Sequence, residues 1–335
     1  MTVRVAINGF GRIGRLVLRA ILESERNDIQ VVGINDLGSP EMNGHLLKYD
    51  SVHGILAIDV NVDGDIMDCG TGPIRVTAEP DPTSLPWGEL EVDVALECTG
   101  YFKKRDDAAK HIEAGARKVL ISAPATNADK TIVYGVNHQS ITPDDTVVSN
   151  ASCTTNCLAP VADVLNKAVG IEKGFMTTIH SYTGDQPTLD TLHSDPRRAR
   201  AAAVSLIPAS TGAAKAVGLV LPELNGKLDG SSVRVPTPNV SLIDLTFTSG
   251  RDTTIEEINA VMRVAAEGSL KDVLVYNTVP LVSVDFNHNP ASSIFDATST
   301  QVLEGNFVRV LSWHDNEWGF SNRMPDTAIA LANAN

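Results

Sequence analysis

A cysteine at the expected start of a helix is the residue of this sequence with the clearest reactive chemistry. Cys153 follows Ser152, a residue type that commonly caps a helix amino terminus. The unpaired N–H groups and the dipole of such a terminus lower the pKa of a thiol and favour the nucleophilic thiolate. Cys157, one turn later, is expected to be a small buried residue, because no second pair of ligands with metal-site spacing follows it. We therefore predict a nucleophile at Cys153 and no metal site.

A thiol nucleophile needs a base, and His180 is the best placed of the eight histidines. It ends an apolar predicted strand, Phe175–Ile179, and precedes a long loop, so its side chain can face a cleft. A single histidine is more often an ordinary surface or core residue, and the composition alone leaves that alternative open. The pairing of Cys153 with His180 is therefore a hypothesis at this point.

A glycine pattern typical of dinucleotide-binding proteins lies between a predicted strand and a predicted helix. It consists of Gly9, Phe10, Gly11, Arg12, Ile13 and Gly14. In such a pattern the first glycine permits a tight turn, the second lets the backbone approach a pyrophosphate, and the third lets the helix pack closely on the strand. The helix amino terminus then attracts the phosphates. A glycine-rich turn without a ligand is the alternative, which the strand–turn–helix context disfavours.

Asp36 ends the second predicted strand, roughly 20 residues beyond the last glycine, where dinucleotide-binding folds place an acidic residue. A carboxylate there accepts hydrogen bonds from the ribose hydroxyls of the adenosine and repels a 2′-phosphate. Asp36 therefore favours NAD over NADP. The alternative is a simple turn residue, since Asp-Leu-Gly-Ser is a turn-like sequence.

The two halves of the chain differ in the order of their predicted elements, and together they predict an α/β protein. Strands alternate with helices in the first half, which predicts a Rossmann-type, doubly wound parallel sheet. Strands cluster in the second half, which predicts an α+β domain with a mostly antiparallel sheet. The predicted strands are 3–8, 29–36, 92–97, 118–122, 131–136, 175–180, 231–236, 240–248, 281–284 and 307–313, and the later predicted helices are 105–116, 152–169, 254–267 and 324–332. A chain of 335 residues is expected to form two domains.

The composition disfavours several classes of function. A formal net charge of −14 argues against broad binding to nucleic acid or to anionic membranes. No stretch approaches the roughly 20 apolar residues of a membrane span, and the chain begins with a strand-like run rather than a signal sequence. Four cysteines in a chain of this length do not form a disulfide framework. We expect a cytoplasmic protein with no nucleic-acid partner and no membrane partner.

Five segments in the same order resemble the phosphorylating glyceraldehyde-3-phosphate dehydrogenase family, and the similarity runs from end to end. They are residues 6–15, 151–157, 208–215, 234–240 and 313–319. The resemblance implies a homotetramer, with the long loop of 183–206 at a subunit contact. It also implies that 1–151 and 316–335 form the NAD-binding domain and that 152–315 form the catalytic domain.

The resemblance implies an NAD-dependent oxidative phosphorylation of D-glyceraldehyde 3-phosphate to 1,3-bisphosphoglycerate, a step of glycolysis. In this chemistry the Cys153 thiolate adds to the aldehyde, hydride passes to the nicotinamide, and inorganic phosphate attacks the thioester that remains. His180 holds Cys153 as thiolate, takes the hydroxyl proton during hydride transfer and stabilises the developing oxyanion.

The resemblance also assigns two anion sites and further cofactor contacts. The attacking phosphate is expected at Ser152, Thr154, Thr211 and Gly212. The substrate phosphate is expected at Thr183 and Arg234, with Arg234 touching both anions and Arg200 as a further basic contributor. Asn316 is expected to orient the nicotinamide carboxamide, and the remaining cofactor residues are Thr99, Gly100 and Ser122. Because these positively charged and hydrogen-bonding groups are concentrated at the anion sites, a chain with a net negative charge can still bind an anionic substrate.

Three departures from the family pattern concern the substrate phosphate and the cofactor. Asp185 occupies a position where many members have a phosphate-binding threonine, so either it points away or the site is rearranged. Residues 181–186 and 195–202 resemble the loop of the chloroplast and cyanobacterial branch, which accepts NADP. Pro80 lies where members of the family usually have an arginine near the adenosine. Four residues thus count against a 2′-phosphate: Asp36, Leu37, Pro80 and Leu192. We therefore predict NAD.

Two alternative functions remain open at the level of sequence. Erythrose-4-phosphate dehydrogenases have the same cysteine and histidine, but the run Ala-Ser-Thr-Gly-Ala-Ala-Lys ending at Lys215 favours the phosphorylating enzyme. A non-catalytic NAD-binding or RNA-binding protein on the same fold belongs to a different class. It predicts a dispensable Cys153 and a basic surface, whereas the Cys–His set is intact and the net charge is −14.

Overall fold

The computed structural model describes residues 2–334, which form two compact units. The first comprises the residues up to Ser152 together with those from Ser321 onward, and the second is Cys153–Phe320. The carboxyl-terminal part of the first compact unit begins at Ser321, and the predicted domains 1–151 with 316–335 and 152–315 stay predictions. No helix within residues 2–334 is both long enough and apolar enough to cross a membrane.

The helices and strands follow one another in the order expected for an α/β protein. The described part of the first unit contains β1 (Val3–Asn8), α1 (Arg12–Glu23), β2 (Ile29–Asn35), α2 (Pro40–Lys48), β3 (Tyr49–Asp50), β4 (Gly54–Ile55), β5 (Asn61–Asp63), β6 (Ile66–Asp68), β7 (Pro73–Thr77), β8 (Val94–Glu97), α3 (Arg105–Ala108), α4 (Lys110–Glu113), β9 (Lys118–Ile121), β10 (Lys130–Thr131) and β11 (Val147–Ser149). There follow α5 (Cys153–Val169), β12 (Ile171–Ser181), β13 (Ile207–Ala209), α6 (Ala213–Val220), β14 (Leu228–Val235), β15 (Ser241–Ser249), α7 (Ile255–Glu267), β16 (Leu274–Asn277), β17 (Ser293–Leu303), β18 (Phe307–His314) and α8 (Trp318–Ala332).

The first unit is built around a nine-stranded sheet in the order β10-β11-β9-β8-β1-β2-β7-β6-β5. The strands from β10 to β7 are parallel, and β6 and β5 continue the sheet antiparallel. The chain moves outward from β1 in one direction through β2 and in the other through β8, so the strand order reverses between β1 and β8. Ligands of doubly wound proteins bind at the carboxyl ends of the strands at such a reversal. The topology therefore indicates a candidate cofactor site at the ends of β1 and β8.

Two glycines make the turn between β1 and α1 possible. Gly9 has a φ of 90°, and a Cβ on it would lie 2.6 Å from the backbone nitrogen of Thr99. A Cβ on Gly14 would lie 2.2 Å from the carbonyl oxygen of Gly9. A larger residue at either position would push these segments apart. The start of α1 is therefore held close to the ends of β1 and β8.

The second unit is built around a seven-stranded sheet in the order β13-β14-β12-β15-β18-β17-β16. Four of its neighbouring pairs are antiparallel, while β12 with β14 and β16 with β17 are parallel. In β15 every second residue is buried, as expected for a strand with one face on a core. α5 is buried along most of its length, because apolar residues occur on nearly all of its sides. The fold class predicted from the sequence is confirmed.

The predicted strand 131–136 is wrong beyond its first residue. β10 ends at Thr131, and the side chain of Asn137 then closes a turn by accepting a hydrogen bond from Val133 N and donating one to Thr131 O. The β-branched composition predicted a strand, but one asparagine side chain satisfies backbone groups that a neighbouring strand would otherwise bind. The predicted helix 105–116 is likewise divided into α3 and α4.

The second unit departs from the predicted elements in several places, and the short elements β13, α6 and β16 were not predicted. The predicted strand 281–284 is wrong, because Ser283–Phe286 form a 3-10 helix whose first turn is closed by Asp285 accepting from Val282 N. The long strand β17 was not predicted, since its sequence mixes apolar residues with buried polar ones. Within it, Asp296 accepts a hydrogen bond from the indole N–H of Trp313. A polar residue that is buried with its partner does not appear in a hydrophobic pattern.

Candidate active site

Cys153 and His180 lie next to each other in the second unit. Cys153 is the first residue of α5, His180 lies near the end of β12, and its Nε2 is 3.5 Å from the Cys153 Sγ. The other ring nitrogen, Nδ1, lies 2.6 Å from the carbonyl oxygen of Ser181. A carbonyl oxygen only accepts hydrogen bonds, so Nδ1 carries the proton and Nε2 presents its lone pair to the sulfur. The pair therefore has the arrangement of a thiol and its base.

Burial and charge act in opposite directions on the thiol of this pair. Burial raises the pKa of the Cys153 thiol, whereas Arg234, Thr154 and the backbone N–H groups at the start of α5 lower it. Burial and the positive charge of Arg234 lower the pKa of His180 to about 3. His180 is therefore neutral at neutral pH and able to accept a proton at Nε2. The helix terminus expected from the sequence does act on the thiol, but burial opposes it, so a proton acceptor is needed to form the thiolate.

Cys157 is a buried neighbour without a chemical role in this geometry. Its sulfur lies 3.4 Å from the hydroxyl oxygen of Ser293 and 3.8 Å from the carbonyl oxygen of Ser312. Burial raises the pKa of the Cys157 thiol to about 12. It is the small buried residue that the sequence predicted.

Arg234 forms the centre of a cluster of polar groups beside this pair. It lies on β14 in register with His180 on β12, and its Nη1 donates to Ser181 O at 3.1 Å and to Thr183 Oγ1 at 2.8 Å. Its Nε is buried and has no hydrogen-bond partner among residues 2–334. A buried guanidinium N–H without a partner costs free energy unless a ligand accepts its hydrogen. An oxyanion such as a phosphate group is the ligand that a guanidinium fits best.

The carboxylate of Asp185 is neutralised within the same cluster. The Thr183 hydroxyl donates to its Oδ1, and Arg198 Nη1 donates to its Oδ2 at 3.0 Å. Arg198 Nη2 also donates to the carbonyl oxygen of Ser210 at 3.4 Å. Asp185 therefore positions Thr183 and Arg198, and its charge is compensated before any anion arrives.

Arg198 was not predicted from the sequence, whereas Arg200 was expected to contribute charge near the substrate phosphate. Arg200 instead pairs with Asp190 at 2.7 Å, and both side chains are more than half exposed. The two arginines lie in a loop without periodicity, so the sequence could not tell which of them turns inward. The available signal was Asp185 itself, because a carboxylate near an anion site requires a cation beside it.

The residues expected to hold the attacking phosphate lie at the starts of two helices. Ser152 directly precedes α5, and Thr154 is buried in its first turn. Gly212 directly precedes α6, and the Thr211 hydroxyl accepts a hydrogen bond from Ala213 N at 3.1 Å. A Cβ on Gly212 would meet no atom within 4 Å, so the space there is open. Both helix starts offer N–H groups and positive dipole ends to an anion.

A second histidine lies beside His180. The rings of His180 and His314 meet edge to face, with centroids 6.0 Å apart. His314 is 1% exposed, and neither of its ring nitrogens has a hydrogen-bond partner in the described part of the chain. Nothing in the sequence pattern singled out His314, because it ends β18 far along the chain from Cys153 and His180.

Asn316 is held by a series of hydrogen bonds that begins at the end of β12. Ser181 N donates to Ser241 Oγ at 3.1 Å, and Ser241 Oγ donates to Asn316 Oδ1 at 2.8 Å. Ser181 Oγ donates to the carbonyl oxygen of Val240 at 2.7 Å. Val240 has a φ of 70°, an unusual value for a β-branched residue. The orientation of the Asn316 amide is thus coupled to the strand end that carries His180.

A cavity of about 580 Å³ lies in the first unit at the carboxyl ends of β1, β2 and β8. Its lining includes Gly9, Gly11, Asp36, Leu37, Pro80 and Thr99. Asp36 accepts hydrogen bonds from Phe10 N at 2.8 Å and from Gly38 N at 3.0 Å, which fixes its carboxylate. A Cβ on Gly11 would meet no atom within 4 Å, so space is free at the glycine that should approach a pyrophosphate. The residues present therefore fit a dinucleotide.

The other predicted cofactor residues belong to the same strand ends. Arg12, Ile13 and Gly14 form the first turn of α1, although the Arg12 guanidinium pairs with Asp50. Gly100 follows Thr99 with a φ of 74°, and Ser122 follows β9. The backbone N–H of Ser122 donates to the carbonyl oxygen of Glu97 at 3.0 Å. The first unit thus brings the predicted contacts to neighbouring strand ends.

Five buried side chains form one hydrogen-bonded series, here called the floor network: Trp87, His111, Glu97, Asn8 and Asn35. Trp87 Nε1 donates to His111 Nδ1 at 3.0 Å, so His111 carries its proton on Nε2 and donates it to Glu97 Oε2 at 3.0 Å. Asn8 Nδ2 also donates to Glu97 Oε2, at 2.7 Å. Asn8 Oδ1 in turn accepts from Asn35 Nδ2 at 2.7 Å.

The floor network joins the ends of three parallel strands. Glu97 ends β8, Asn8 ends β1 and Asn35 ends β2. Glu97 also accepts hydrogen bonds from the backbone N–H and the hydroxyl of Thr99, and Asn8 and Asn35 themselves line the cavity. The network therefore fixes the strand ends that shape the cleft. The sequence signal for it was a polar residue at the end of each of three apolar strands.

Comparisons with known proteins match two separate parts of the chain to one family. Residues 3–105 match the family model described as the NAD binding domain of glyceraldehyde 3-phosphate dehydrogenase, and residues 152–316 match the model of its C-terminal domain. The chain is 67% identical over 331 residues to the glyceraldehyde-3-phosphate dehydrogenase of Xanthobacter flavus and 66% identical over 331 residues to that of Cereibacter sphaeroides, with 99% of each chain covered. It is 57% identical over 333 residues to the enzyme of that name from Geobacillus stearothermophilus, again with 99% of each chain covered.

Proposed function

The chain belongs to the glyceraldehyde-3-phosphate dehydrogenase family, and we propose that it oxidises and phosphorylates D-glyceraldehyde 3-phosphate to 1,3-bisphosphoglycerate with NAD, a step of glycolysis. The observation that carries this proposal is the Cys153–His180 pair, with Nε2 3.5 Å from the sulfur, beside an Arg234 whose Nε has no partner in the described chain. A nucleophile with its base supports covalent catalysis. The unsatisfied guanidinium beside it favours a phosphorylated aldehyde over an uncharged one.

In the first step the Cys153 sulfur adds to the aldehyde carbon. The thiol proton passes to His180 Nε2, the sulfur–carbon bond forms, and the carbonyl oxygen becomes an alkoxide. His180 then gives the proton to that oxygen, which leaves a hemithioacetal on Cys153 and a neutral imidazole. The hydrogen bond from His180 Nδ1 to Ser181 O keeps the ring in orientation throughout.

In the second step the hemithioacetal is oxidised to a thioester. Bound NAD supplies the acceptor for the hydride that leaves the carbon. His180 Nε2 takes the hydroxyl proton as the carbon–oxygen double bond forms, and the imidazole becomes positively charged. We assign Asn316, whose Oδ1 is held by Ser241, to the nicotinamide carboxamide on the strength of the family resemblance.

In the third step inorganic phosphate attacks the thioester carbon. The carbon–sulfur bond breaks, the acyl phosphate forms, and the proton of the phosphate restores the Cys153 thiol. The proton that His180 took up during the oxidation leaves to solvent. One proton is therefore released for each aldehyde that is oxidised.

Two anions must be bound, and the proposal assigns them to different groups of residues. The attacking phosphate is assigned to the two helix starts, with Ser152, Thr154, Thr211 and Gly212. The substrate phosphate is assigned to Thr183, Arg234 and Arg198, since Asp185 holds two of these side chains in position. A net charge of −14 does not oppose this binding, because charges farther away than about 8–10 Å are largely screened.

The cleft of the first unit supports NAD as the cofactor. The carboxylate of Asp36 is fixed by two backbone N–H groups, in the position where it accepts bonds from ribose hydroxyls and repels a 2′-phosphate. Leu37 and Pro80 line the same cavity and offer no positive charge to such a phosphate. Initial rates with NAD and with NADP test this assignment, and equal values of kcat/KM for the two would contradict it.

The proposed reaction is tested by measuring NADH formation from glyceraldehyde 3-phosphate at varied phosphate concentration. We expect continuous turnover only when phosphate is present, and none in the Cys153→Ser variant. Erythrose 4-phosphate is the comparison substrate, because its rapid oxidation without phosphate would favour erythrose-4-phosphate dehydrogenase. Iodoacetamide tests the non-catalytic alternative: full turnover after complete alkylation of Cys153 would exclude the thioester mechanism.

We also propose a homotetramer in the cytoplasm, and the loop 183–206 supports the association. It exposes four large apolar side chains, Leu189, Leu192, Val204 and Leu206. Apolar residues grouped on one exposed segment are typical of a subunit contact. Light scattering of the purified chain measures the oligomeric state, and a fully active monomer would contradict the tetramer.

The proposed location in the cytoplasm is supported by the cysteines. All four are free, which fits a reducing compartment.

A further inference from the structure

His314 is a buried imidazole that the proposed reaction does not use. It is 1% exposed, and neither of its ring nitrogens is hydrogen-bonded within residues 2–334. A buried polar group without a partner costs free energy, so native proteins rarely retain one unless a ligand or a reaction uses it. The edge-to-face contact with the ring of His180 leaves both nitrogens of His314 unsatisfied. The imidazole of His314 is therefore available to a ligand.

The position of His314 completes a group of three metal-binding side chains. The Cys153 Sγ, one ring nitrogen of His180 and one ring nitrogen of His314 all lie within 4.8 Å of one another. On a tetrahedral zinc ion, with bonds of about 2.3 Å to sulfur and about 2.0–2.1 Å to nitrogen, a sulfur and a nitrogen ligand are about 3.6 Å apart. The Cys153 Sγ and the His180 Nε2 are 3.5 Å apart. Two nitrogen ligands of such an ion are about 3.3 Å apart. The ring nitrogen of His314 lies within 4.8 Å of the other two ligand atoms, so we expect it to move closer when the ion binds.

The hydrogen bonding of His180 is also that of a metal ligand. Its Nδ1 donates to the carbonyl oxygen of Ser181 at 2.6 Å, which leaves the Nε2 lone pair directed at the sulfur. Metal-binding histidines almost always donate their second ring nitrogen to a carbonyl or carboxylate, because this fixes the ring and its tautomer. The hydrogen bond from His180 Nδ1 to the backbone of β12 therefore leaves the Nε2 lone pair able to bind either a proton or a metal ion.

The chemistry of the three side chains selects the ion. Thiolate and imidazole ligands suit zinc, whereas magnesium and calcium prefer oxygen ligands. The carboxylate of the neighbouring cluster, Asp185, is engaged by Arg198 and Thr183. The ligand set is therefore one sulfur and two nitrogens, with a fourth position left for water.

We propose that Cys153, His180 and His314 bind one Zn²⁺ ion per chain and that this ion reversibly blocks the nucleophile. The ion replaces the thiol proton, which goes to solvent, and no group is oxidised or reduced. Metal binding itself depends only on the three side chains. The inhibition rests on the proposed function, because it requires Cys153 to be the nucleophile.

The test uses the full chain after removal of metal with a chelator and removal of NAD by dialysis. Co²⁺ is added first as a spectroscopic probe, and we expect thiolate-to-cobalt charge-transfer absorption together with the intense visible bands of a tetrahedral site. Zn²⁺ in competition with a coloured chelator should then displace the cobalt and bind with a stoichiometry of one per chain. Alkylation of Cys153 beforehand should abolish the charge-transfer absorption.

Variants of His314 test whether this residue is the third ligand of the Zn²⁺ ion. His314→Phe and His314→Gln should each weaken Zn²⁺ binding at least about tenfold, since loss of an outer-sphere partner alone costs about 10–100-fold. His45→Gln, at an exposed histidine, is the matched control and should bind Zn²⁺ like the parent protein. Two substitutions of different polarity, each checked by circular dichroism, separate ligand loss from misfolding.

Each outcome separates the metal site from the proposed function. Parent-like Zn²⁺ affinity in both His314 variants, or cobalt binding without charge transfer, would overturn the site. Stoichiometric binding that leaves turnover unchanged would support the site and contradict the role of Cys153 in the proposed reaction. Binding that parallels the loss of turnover, and reversal of both by a chelator, would support the whole proposal.

Discussion

The proposed cofactor cleft of the first unit and the proposed catalytic site around Cys153 and His180 in the second differ in how completely their polar groups are hydrogen-bonded. In the floor network every side chain has a partner, and Glu97 accepts hydrogen bonds from four donors. Beside the Cys153–His180 pair, Arg234 Nε has no hydrogen-bond partner among the described residues, and neither ring nitrogen of the neighbouring His314 has one. A fully bonded network holds a binding surface in one shape. A site that must accept protons and anions in succession needs unused hydrogen-bonding capacity.

The largest effect is expected from breaking the catalytic pair while leaving the cleft intact. His180→Asn removes the proton acceptor and should lower kcat by about 10²–10⁴-fold. The KM for NAD should stay near the parent value, because the floor network is unchanged. Steady-state rates of NADH formation measure both constants, with His45→Gln as the control for loss of a histidine. A loss of kcat below tenfold would contradict the role assigned to His180.

A smaller effect is expected when the unsatisfied guanidinium is replaced and its charge is kept. Arg234→Lys removes the buried Nε and the planar donor pair, so the KM for glyceraldehyde 3-phosphate should rise about 10- to 100-fold, equivalent to about 1.5–3 kcal/mol. Arg251→Lys, in an exposed pair with Glu257 of the same unit, is the matched control. An unchanged KM for the aldehyde would show that charge alone suffices at this position.

In the cofactor cleft, the floor network can be weakened by a substitution that leaves Cys153 and His180 unchanged. Glu97→Gln replaces an acceptor of four hydrogen bonds by an amide that cannot accept them all. NAD binding should weaken about 5- to 30-fold, equivalent to about 1–2 kcal/mol, with kcat at saturating NAD unchanged. Fluorescence titration with NAD measures the affinity, and Glu89→Gln is an exposed control in the same unit. A lower melting temperature with parent-like affinity would mean that the network serves the fold alone.

The smallest effect is expected at Asp129, a hydrogen-bonded carboxylate that does not line the cofactor cleft, and it concerns the free energy of unfolding. Although burial opposes it, Arg105 and the N–H groups of Val147 and Thr146 lower the pKa of Asp129 to about 2. The ionised form is therefore favoured by folding above the ordinary pKa of 3.8, and its contribution is lost as the pH falls towards 2. After allowance for solvent exposure, Asp129→Asn should lower the free energy of unfolding at neutral pH by about 1 kcal/mol.

Urea unfolding of the parent and of Asp129→Asn checks this value. The difference between them should shrink as the pH falls below about 4, and the KM for NAD should not change. A difference that stays constant down to the lowest accessible pH would rule out the ionised carboxylate as its cause. Comparison of Asp129→Asn with Glu97→Gln separates hydrogen bonds that stabilise only the fold from hydrogen bonds that also support cofactor binding.

The parts of the molecule that the sequence could predict are those determined by near neighbours in the chain. The glycines of the β1–α1 turn, the carboxylate of Asp36 and the start of α5 at Cys153 each depend on a short segment. The alternation of strands and helices likewise predicted the parallel part of the first sheet, and the clustering of strands predicted the mostly antiparallel second sheet. The proximity of His180 to Cys153 did not follow from spacing and needed the family resemblance.

The parts that could not be predicted depend on contacts between distant residues. Asn8 and Glu97 are 89 positions apart, and their hydrogen bond exists only because β1 and β8 are neighbours in the sheet. Arg198 reaches Asp185 through an irregular loop, where no periodicity tells which side chain turns inward. Burial of the Cys153 thiol also arises from the whole unit, so its effect on the pKa is absent from the local sequence.

We expect the unpartnered Nε of Arg234 to make the lifetime of the protein in the cell depend on its substrates. A buried donor without a partner makes the ligand-free chain easier to unfold, and a bound phosphate group reverses this. By mass action, a ligand at about 100 times its dissociation constant stabilises the folded chain by about 2.7 kcal/mol. Proteases remove unfolded chains, so abundance follows the folded fraction. We therefore expect slower degradation when triose phosphate is plentiful, which would adjust the amount of enzyme to metabolic flux without any change in transcription.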